Sequence, residues 1–226
     1  MGLNENFLQA AGGTTCICDF PITATSLYQL ESSGTDTCSN YDLTTPGTSP
    51  TYGVGKFGNC AIFNGSSQSY AQASKWGEPT TFSLSFWVNF DVTNVNHELV
   101  YCYNWNGSSS SGWKIRFLDS TDKIEWQTYY GNTQNTQTST TVFSASTWYN
   151  IAFTATQTTI KFYVNGAIDN TTDITGDGFN YHGTDAGEIG AADGYDYLNG
   201  KIDQFRMFPS ELTAAQVTEL YNETVC

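Results

Sequence analysis

The amino-acid sequence predicts an all-β protein, a two-sheet antiparallel β-sandwich (jelly roll) with one short C-terminal helix. Three observations lead to this prediction. Segments of alternating apolar and polar residues recur about every 10 to 15 residues, Asn, Gly, Ser and Thr separate them, and aromatic and β-branched residues are abundant in them. This rhythm is typical of antiparallel sandwiches, whereas α/β proteins alternate strands with long helices.

The clearest strand is Thr81–Phe90, with the sequence TFSLSFWVNF. Its Phe, Leu and Val residues occupy alternate positions, which predicts that one face of the strand lies in the core. The same pattern predicts further strands at Glu98–Trp105, Gly112–Leu118, Lys123–Tyr130, Thr147–Thr156, Thr159–Asn165 and Lys201–Phe208.

Other local signals predict a turn, a helix and a polar edge. Asn165-Gly166 follows a strand directly and is a tight-turn dipeptide, so we expect the chain to reverse there. Thr213 and Gln216 have capping-box spacing ahead of apolar residues at helical spacing, which predicts a helix. The polar segment Asn132–Thr141 is expected to form a loop or an exposed edge.

The charge excludes some classes of partner. The chain has 226 residues, with 22 acidic and 8 basic side chains and a net charge of −14. Such a protein repels phosphate backbones and anionic lipids, so we expect neither nucleic-acid binding nor membrane insertion. No apolar run is long enough to span a bilayer, and the first twenty residues show no signal peptide. An excised domain, another export route and a particle assembled inside a cell all remain open.

The spacing of the six cysteines argues against zinc, because the chain has one C-x-C pair and no second pair with a nearby His. Disulfides are the favoured interpretation, and free buried thiols are the alternative. Their positions are Cys16, Cys18, Cys38, Cys60, Cys102 and Cys226. Six cysteines allow 15 pairings, among which sequence does not choose. Our preference is Cys38 with Cys60, and Cys16 or Cys18 with Cys226.

Three stretches together resemble the laminin-G-like jelly roll of the concanavalin A-like lectin/glucanase superfamily. They are SLYQLE with GKFGNCAIFNGSSQSYAQA, FSLSFWV, and EIGAADGYDYLNGKIDQFRMFPSELTAAQVTELYNE. The resemblance implies a β-sandwich domain over residues 24–226, preceded by an N-terminal extension over residues 1–23. It also implies carbohydrate or protein binding, often with a bound calcium ion.

Asp203 is the first candidate metal ligand. In the predicted strand Lys201–Phe208 it shares a face with Phe205 and Met207, and a carboxylate facing a core requires hydrogen bonds, neutralisation or a cation. The resemblance implies a Ca²⁺ site near the opening strand, where Asp36, Asn40 and Asp42 offer oxygen atoms. The alternative is that Asp203 accepts backbone hydrogen bonds.

A candidate ligand-binding surface lies on the polar face of the predicted strands. Sugar binding needs an aromatic face and nearby hydrogen-bonding groups, and this face offers Trp87, Asn89, Arg116, Gln127 and Tyr129. The alternative for Trp87 is that a loop or the helix covers it. Loop tips add Trp105, Tyr195 and Asp196 as further candidates.

The sequence therefore predicts a non-catalytic module that recognises carbohydrate or glycoprotein at an extracellular, cell-surface or virion-surface location. No strand has the alternate carboxylates of a glucan hydrolase, and Glu125 stands alone on its strand, so hydrolysis is a minor alternative. The main alternative is a structural or assembly protein that binds identical subunits in a virion or a cell-surface appendage.

Overall fold

The structure is a computed structural model that describes residues 18–72, 80–105, 110–131, 133–175, 187–192 and 195–224. In chain order, its strands are β1 Ser26–Tyr28, β2 Leu43–Thr44, β3 Thr51–Val54, β4 Asn59–Asn64, β5 Tyr70–Gln72, β6 Phe82–Phe90, β7 His97–Trp105, β8 Ser110–Leu118, β9 Lys123–Gly131, β10 Thr133–Thr138, β11 Trp148–Ala155, β12 Thr159–Val164, β13 Ala167–Asp173, β14 Gly187–Ile189 and β15 Asn199–Phe208. The helix α1 is Ala214–Tyr221. The strands predicted from alternation are present, with ends that differ by one or two residues.

The strands form two antiparallel sheets. The eight-stranded sheet has the order β13-β12-β11-β6-β15-β4-β3, and β1 also pairs with β15. The seven-stranded sheet has the order β10-β9-β8-β7-β14-β5-β2. The predicted all-β sandwich with one short C-terminal helix is therefore confirmed.

The main core lies between the sheets and is largely aromatic. Phe82 of β6 faces Trp113 of β8 with ring centroids 5.3 Å apart, and Phe90 faces Phe117 at 4.6 Å. Every residue of β6 is buried, including those that point away from this core. The strand is thus covered on both faces, although its outward residues include Ser and Asn.

The helix α1 covers the outer face of the eight-stranded sheet. Its Val217 and Leu220 form a second apolar cluster with Ala152 of β11, Tyr163 of β12 and Phe208 of β15. Burying one apolar side of a short helix is the main source of its stability.

Both ends of α1 are fixed by specific contacts. Thr213 accepts a hydrogen bond from the backbone N–H of Gln216, whose side chain accepts one from the backbone of Thr213, so the predicted capping box is present. Beyond the helix, both terminal nitrogens of Arg206 in β15 donate to Glu223, at 2.6 and 2.9 Å. This buried ion pair holds the end of the helix against the sheet.

The predicted turn and the polar segment also take definite form. Asn165 and Gly166 have φ angles of 51° and 78° and join β12 to β13, as a two-residue hairpin turn with two positive φ angles requires. The polar segment forms β10, which is an edge strand of the seven-stranded sheet. Of the two predicted alternatives, the exposed edge is therefore correct.

A β-bulge in β15 changes the direction of Asp203. Asp203 pairs with Trp87 of β6, and Arg206 pairs with Ser85, so three steps on β15 match two on β6. The extra residue is Gln204, whose φ is 52°. The prediction that Asp203 shares a face with Phe205 and Met207 is therefore wrong, because the bulge reverses the alternation between them.

Cys18 and Cys38 form a disulfide that closes a separation of 20 residues. This bond contradicts the predicted Cys38–Cys60 pair and excludes a Cys18–Cys226 pair. Cys60 is free and buried, Cys102 is also buried, and burial raises the pKa of the Cys60 thiol to about 12. Cys16 and Cys226 lie outside the described residues. The predicted pairing failed because Cys60 lies in β4, paired with Gly53 of β3, whereas Cys38 lies in the loop after β1, where Cys18 bonds to it.

Among the helices of the described ranges, none is both long enough and apolar enough to cross a bilayer. The division of the chain at residues 23 and 24 stays a prediction. The disulfide at Cys18 ties the end of the predicted extension to the loop that follows β1.

Candidate functional site

The predicted ligand-binding residues lie on two opposite surfaces. Trp87 and Asn89 lie on the outer face of the eight-stranded sheet, whereas Arg116 of β8 and Gln127 and Tyr129 of β9 lie on the outer face of the seven-stranded sheet. The prediction of one shared face is wrong. Alternation shows which residues point away from the core, but it does not show which sheet holds each strand.

Trp87 and Asn89 are closed off from solvent. Trp87 is 3% exposed and lies between the ring of Tyr221, stacked at 5.7 Å, and that of Phe57, edge-on at 5.8 Å. The ammonium group of Lys56 lies 4.4 Å from the Trp87 ring. Asn89 is 6% exposed. The helix end and the turn at Lys56 thus cover Trp87, which was the alternative that the sequence left open.

The outer face of the seven-stranded sheet has a row of charged and polar side chains that crosses four strands. Glu98 of β7, Arg116 of β8, Glu125 of β9 and Thr138 of β10 are in register. The Nε and Nη2 atoms of Arg116 donate to Oε2 of Glu125 at 3.1 and 3.0 Å, and Thr138 donates to its Oε1 at 3.4 Å. The pleat aims these side chains outward together, because every second residue of each strand points to the same side.

A second set of hydrogen bonds extends this row along β9. The hydroxyl of Tyr129 donates to Oε1 of Gln127 at 2.7 Å, and Nε2 of Gln127 donates to Oε2 of Glu125 at 3.2 Å. Burial raises the pKa of Tyr129 to about 12, so its hydroxyl keeps its proton at neutral pH. Arg116, Gln127 and Tyr129 therefore belong to one connected network, which the sequence analysis placed on one face.

Tyrosine rings lie beside this network. Tyr101 and Tyr103 of β7 point outward with ring centroids 5.8 Å apart, and Tyr103 lies 4.4 Å from Tyr129. Gly112 occupies the register position between Tyr103 and Tyr129, so no side chain separates their rings. We call these three residues, Tyr101, Tyr103 and Tyr129, the tyrosine ridge.

Lys114 and Glu98 complete the surface. Lys114 Nζ contacts Glu98 Oε1 at 3.4 Å, and Oε2 of Glu98 has no hydrogen-bond partner. Burial raises the pKa of Glu98 above its ordinary value, against the opposing effect of Lys114. We call Glu98, Lys114, Arg116, Glu125 and Gln127 the polar row.

This surface remains partly open to solvent. About a third of the Arg116 side chain (30%) and 18% of the Lys114 side chain are exposed, and Tyr101 and Tyr103 are half-buried. Glu98, Gln127 and Tyr129 are buried, at 2%, 3% and 9% exposure. Within the described ranges, the helix packs on the opposite sheet and not on this one. The more accessible groups of this surface are therefore Arg116, Lys114, Tyr101 and Tyr103, while Gln127 and Tyr129 form hydrogen bonds in its buried part.

The loop candidates lie at the two ends of β7. The carbonyl oxygen of Asp196 accepts a hydrogen bond from the backbone N–H of Glu98 at 2.7 Å, so this loop meets the start of β7. Tyr195 beside it is 74% exposed. Trp105 ends β7, and its side chain lies outside the described part of the chain. The structure thus places Tyr195 and Asp196 next to the polar row.

Sequence reasoning missed Glu98, Tyr101 and Tyr103 as members of this surface. The signal was present for the two tyrosines, because they alternate with the inward residues Val100 and Cys102. For Glu98 the alternation is broken by a bulge between Glu98 and Val100, which inserts the buried Leu99. Its place beside Arg116 follows only from the pairing of β7 with β8.

The predicted metal ligands form two separate groups. Asp36, Asn40 and Asp42 lie in the loop after β1. The carboxylate of Asp36 accepts four backbone N–H groups, from Leu27, Cys38, Asn40 and Tyr41, at 2.9 to 3.3 Å. Asp42 accepts the N–H of Asp36 at 2.8 Å, and the Asn40 amide donates to a carbonyl oxygen of residue 25 at 2.8 Å.

Asp203 lies under the turn that follows β3. Its Oδ2 accepts the backbone N–H groups of Lys56 and Phe57 at 2.9 and 3.0 Å. Burial raises its pKa to about 7, and these hydrogen bonds oppose the rise. Backbone hydrogen bonding was the alternative that the sequence analysis gave for this residue.

These residues do not fit one calcium site. Both oxygens of Asp36 already accept two N–H groups each, and the positive ends of those groups point at the place a cation would take. Across the ranges that the structure describes, no three His, Cys, Asp or Glu side chains converge as metal ligands do. We assign no chemistry through calcium, and calcium binding by the protein stays a prediction.

The geometry also bears on the hydrolase alternative. Glu98 and Glu125 flank Arg116 in one row, each in contact with a cation. A glycosidase needs one carboxylic acid that gives its proton to the leaving group and one free carboxylate on the other side of the bond. Glu125 instead holds Arg116, Gln127 and Thr138, so the arrangement favours a fixed binding surface.

Comparison with known proteins identifies the family. A laminin G-like family model, described as the concanavalin A-like lectin/glucanases superfamily, matches residues 63–218. No curated protein sequence matches the chain significantly.

Several solved structures share the fold. Domain 4 of AbnA, a GH43 extracellular arabinanase from Geobacillus stearothermophilus, in complex with arabinotriose, superposes with a TM-score of 0.73 and 18% identity, over 88% of this chain and 98% of that domain. The binding domain of Paraclostridial Mosquitocidal Protein 1 gives a TM-score of 0.69 and 19% identity, over 87% of this chain and 52% of that one. The binding domain of botulinum neurotoxin serotype G gives 0.67 and 18%, over 88% and 50%.

At these identities the structural likeness establishes the fold, while the sequence match covers more than half of the chain. The match includes β6 to β15, and thus both the polar row and the tyrosine ridge. The chain belongs to the concanavalin A-like lectin/glucanases superfamily, as a laminin G-like β-sandwich.

Proposed function

We propose that this protein is a non-catalytic recognition module that binds carbohydrate on the outer face of the seven-stranded sheet. The observation that carries the proposal is the tyrosine ridge beside the polar row. Sugar rings present C–H groups that pack on aromatic faces, and their hydroxyls need donors and acceptors in fixed positions. One surface here supplies all of these groups.

The polar row is prepared for this task before a ligand arrives. The Arg116 guanidinium has five N–H groups. One on Nε and one on Nη2 donate to Glu125 and hold the orientation of the side chain, and the others remain available to sugar oxygens. Side chains that are already held in place lose less entropy on binding, so a shallow surface gains affinity.

The comparisons support a binding role at the level of the fold. One structural neighbour is a domain in complex with arabinotriose, and others are toxin binding domains. The Cys18–Cys38 disulfide supports an extracellular location, where such bonds persist. We propose glycans or glycosylated surfaces as the partner class.

The experiment that tests the proposal is a glycan-array screen in calcium and again in chelator. We expect binding to a defined set of sugars, weakened at least tenfold in Tyr103→Ala and in Arg116→Ala. The matched control is Lys161→Ala, which breaks an ion pair with Glu211 on the opposite sheet and should leave binding unchanged. A loss of binding in chelator would add calcium to the proposal.

Two outcomes contradict the proposal. Release of reducing sugar from a bound glycan, abolished by Glu125→Gln, would make the protein a hydrolase. No binding in either buffer, together with an oligomer in light scattering, would favour the assembly protein.

A further inference from the structure

The two cations of the polar row are already neutralised. Lys114 contacts Glu98, and Arg116 contacts Glu125 through two hydrogen bonds. Glu188 of β14 points to the same side, in register with Tyr101. Lys123 also points to this side, two residues from Glu125 and farther from Tyr129, so the described strands give this face three carboxylates and three cations, within a chain whose net charge is −14.

An anionic ligand would meet two obstacles at this surface. To pair with Arg116 or Lys114, its carboxylate or sulfate would have to displace Glu125 or Glu98, which are fixed by their backbones next to the cations. It would also lie beside the remaining carboxylates, and like charges at such short range repel strongly where water is partly excluded.

A neutral sugar meets neither obstacle. Each hydroxyl is both a donor and an acceptor, so it can donate to the carboxylate and accept from the cation of the same ion pair. Glu98 itself is buried, at 2% exposure, so the groups of the polar row that hydroxyls can reach are Lys114, Arg116 and Glu125. Hydroxyl groups can thus use the polar row without breaking it.

The tyrosine ridge indicates the direction in which a bound sugar chain would lie. Tyr101 and Tyr103 lie two residues apart on one strand, and their ring centroids are 5.8 Å apart. Rings at that spacing favour consecutive units of a chain over a single monosaccharide. Tyr195 and Asp196 stand at one end of this line, and the strand position of Trp105 stands at the other.

We infer that the outer face of the seven-stranded sheet selects uncharged oligosaccharides that lie along β7, and that it rejects oligosaccharides carrying carboxylate or sulfate groups. This inference rests on the proposed function and names the ligand class of the same surface.

The test compares neutral trisaccharides of glucose and galactose with the same sugars oxidised to uronic acids, by titration calorimetry on the intact protein. We expect a neutral sugar to bind at least tenfold more tightly than its uronic acid. We also expect little change in the affinity of the neutral sugar as salt is raised, because no net charge is neutralised.

Three variants test which residues give the preference for neutral over acidic sugars. Glu125→Gln leaves Arg116 without its carboxylate and should reduce the preference for the neutral sugar at least threefold, and Glu98→Gln should act in the same direction through Lys114. Glu211→Gln removes the same kind of ion-pair partner from the opposite sheet and should change nothing.

The outcomes separate the two proposals. Equal or tighter binding of the uronic acids would overturn this inference and leave carbohydrate binding standing, and the wild-type comparison decides this even if a variant fails to fold. Binding of none of the sugars, in the array or in solution, would overturn the proposed function and this inference with it.

Discussion

Asp36 and Asp203 are both fully buried aspartates, but their surroundings give them different properties. Asp36 accepts four backbone N–H groups, and these stabilise its charge and hold together the loop after β1. Asp203 accepts only two backbone N–H groups, from Lys56 and Phe57, and burial raises its pKa by more than these hydrogen bonds lower it. The same residue type thus holds a loop in one place and titrates near neutral pH in the other.

Asp203→Asn should change how stability depends on pH. The pKa of Asp203 rises from 3.8 to about 7 on folding, so between these values the folded chain holds a proton that the unfolded chain has released. The free energy of unfolding therefore falls as the pH rises through this window, by up to about 4 kcal/mol. The amide does not titrate, so the variant should gain that amount relative to wild type between pH 4 and pH 8.

Urea unfolding at intervals across this pH range measures the difference. Asp119→Asn, at an exposed turn, is the control and should show no such trend. A difference between Asp203→Asn and wild type that stays constant with pH would contradict the prediction.

Asp36→Ala should destabilise the fold by at least about 3 kcal/mol, because it leaves four backbone donors without their charged acceptor. The loss should be the same in calcium and in chelator, measured as the shift of the urea midpoint. If calcium stabilises the wild type and not Asp36→Ala, the carboxylate is a metal ligand after all.

At the scale of single elements, backbone geometry decides how side chains meet. Gly112 in β8 has a φ of 97° and lets the rings of Tyr103 and Tyr129 approach across it. The bulge at Gln204 turns Asp203 away from the main core and under the turn at Lys56. Both features depend on one residue in an otherwise regular strand.

Gly112→Ala should lower stability by at least about 2 kcal/mol, because its Cβ would lie 2.1 Å from the carbonyl oxygen of Cys102 and its φ is strained for any other residue. Thermal unfolding measures the loss. Gly47→Ala is the matched control, since its Cβ would meet only a backbone oxygen at 3.6 Å. Equal melting temperatures for the two variants would count against this geometry.

Thr213→Ala should cost about 1 kcal/mol, because it removes the side chain that accepts the N–H of Gln216 at the start of α1. Thr213→Ser keeps the hydroxyl and should restore most of the loss in urea unfolding. If Thr213→Ser and Thr213→Ala lower the stability equally, Thr213 does not stabilise the fold through the helix cap.

At the scale of the whole molecule, the two outer faces are covered to different extents. The helix, the turn at Lys56 and the Arg206–Glu223 ion pair cover the face of the eight-stranded sheet. The face of the seven-stranded sheet keeps its polar row and tyrosine ridge partly exposed. One sheet is therefore covered on both sides, and the other has an outer face that is partly exposed; this second face is where we propose that carbohydrate binds.

Replacing both Cys18 and Cys38 by Ala should lower the free energy of unfolding by roughly 3 kcal/mol, since a cross-link over 20 residues restricts the unfolded chain. Each single Cys→Ala change should cost nearly as much as the pair, because either one removes the bond. Losses in urea unfolding that add up across the two single variants would show that the bond does not stabilise the chain.

The sequence by itself determined the class of fold, the helix and its cap, the hairpin turn at Asn165-Gly166 and the inward faces of the long strands. These features depend on residues near each other in the chain, where alternation, capping and turn geometry act directly. It also indicated that Arg116, Gln127 and Tyr129 share a surface, because β8 and β9 are consecutive and pair with each other.

Only the tertiary structure decided which outward residues meet. It assigned Trp87 to the covered sheet, added Glu98 to the polar row and the tyrosines of β7 to the tyrosine ridge, turned Asp203 with a bulge and paired Cys18 with Cys38. The physical reason is that alternation along a strand shows only whether a residue points inward or outward. A sandwich has two outer faces, and an outward residue can lie on either of them. The choice between those faces is made by hydrogen bonds between strands far apart in sequence, and local pattern does not contain it.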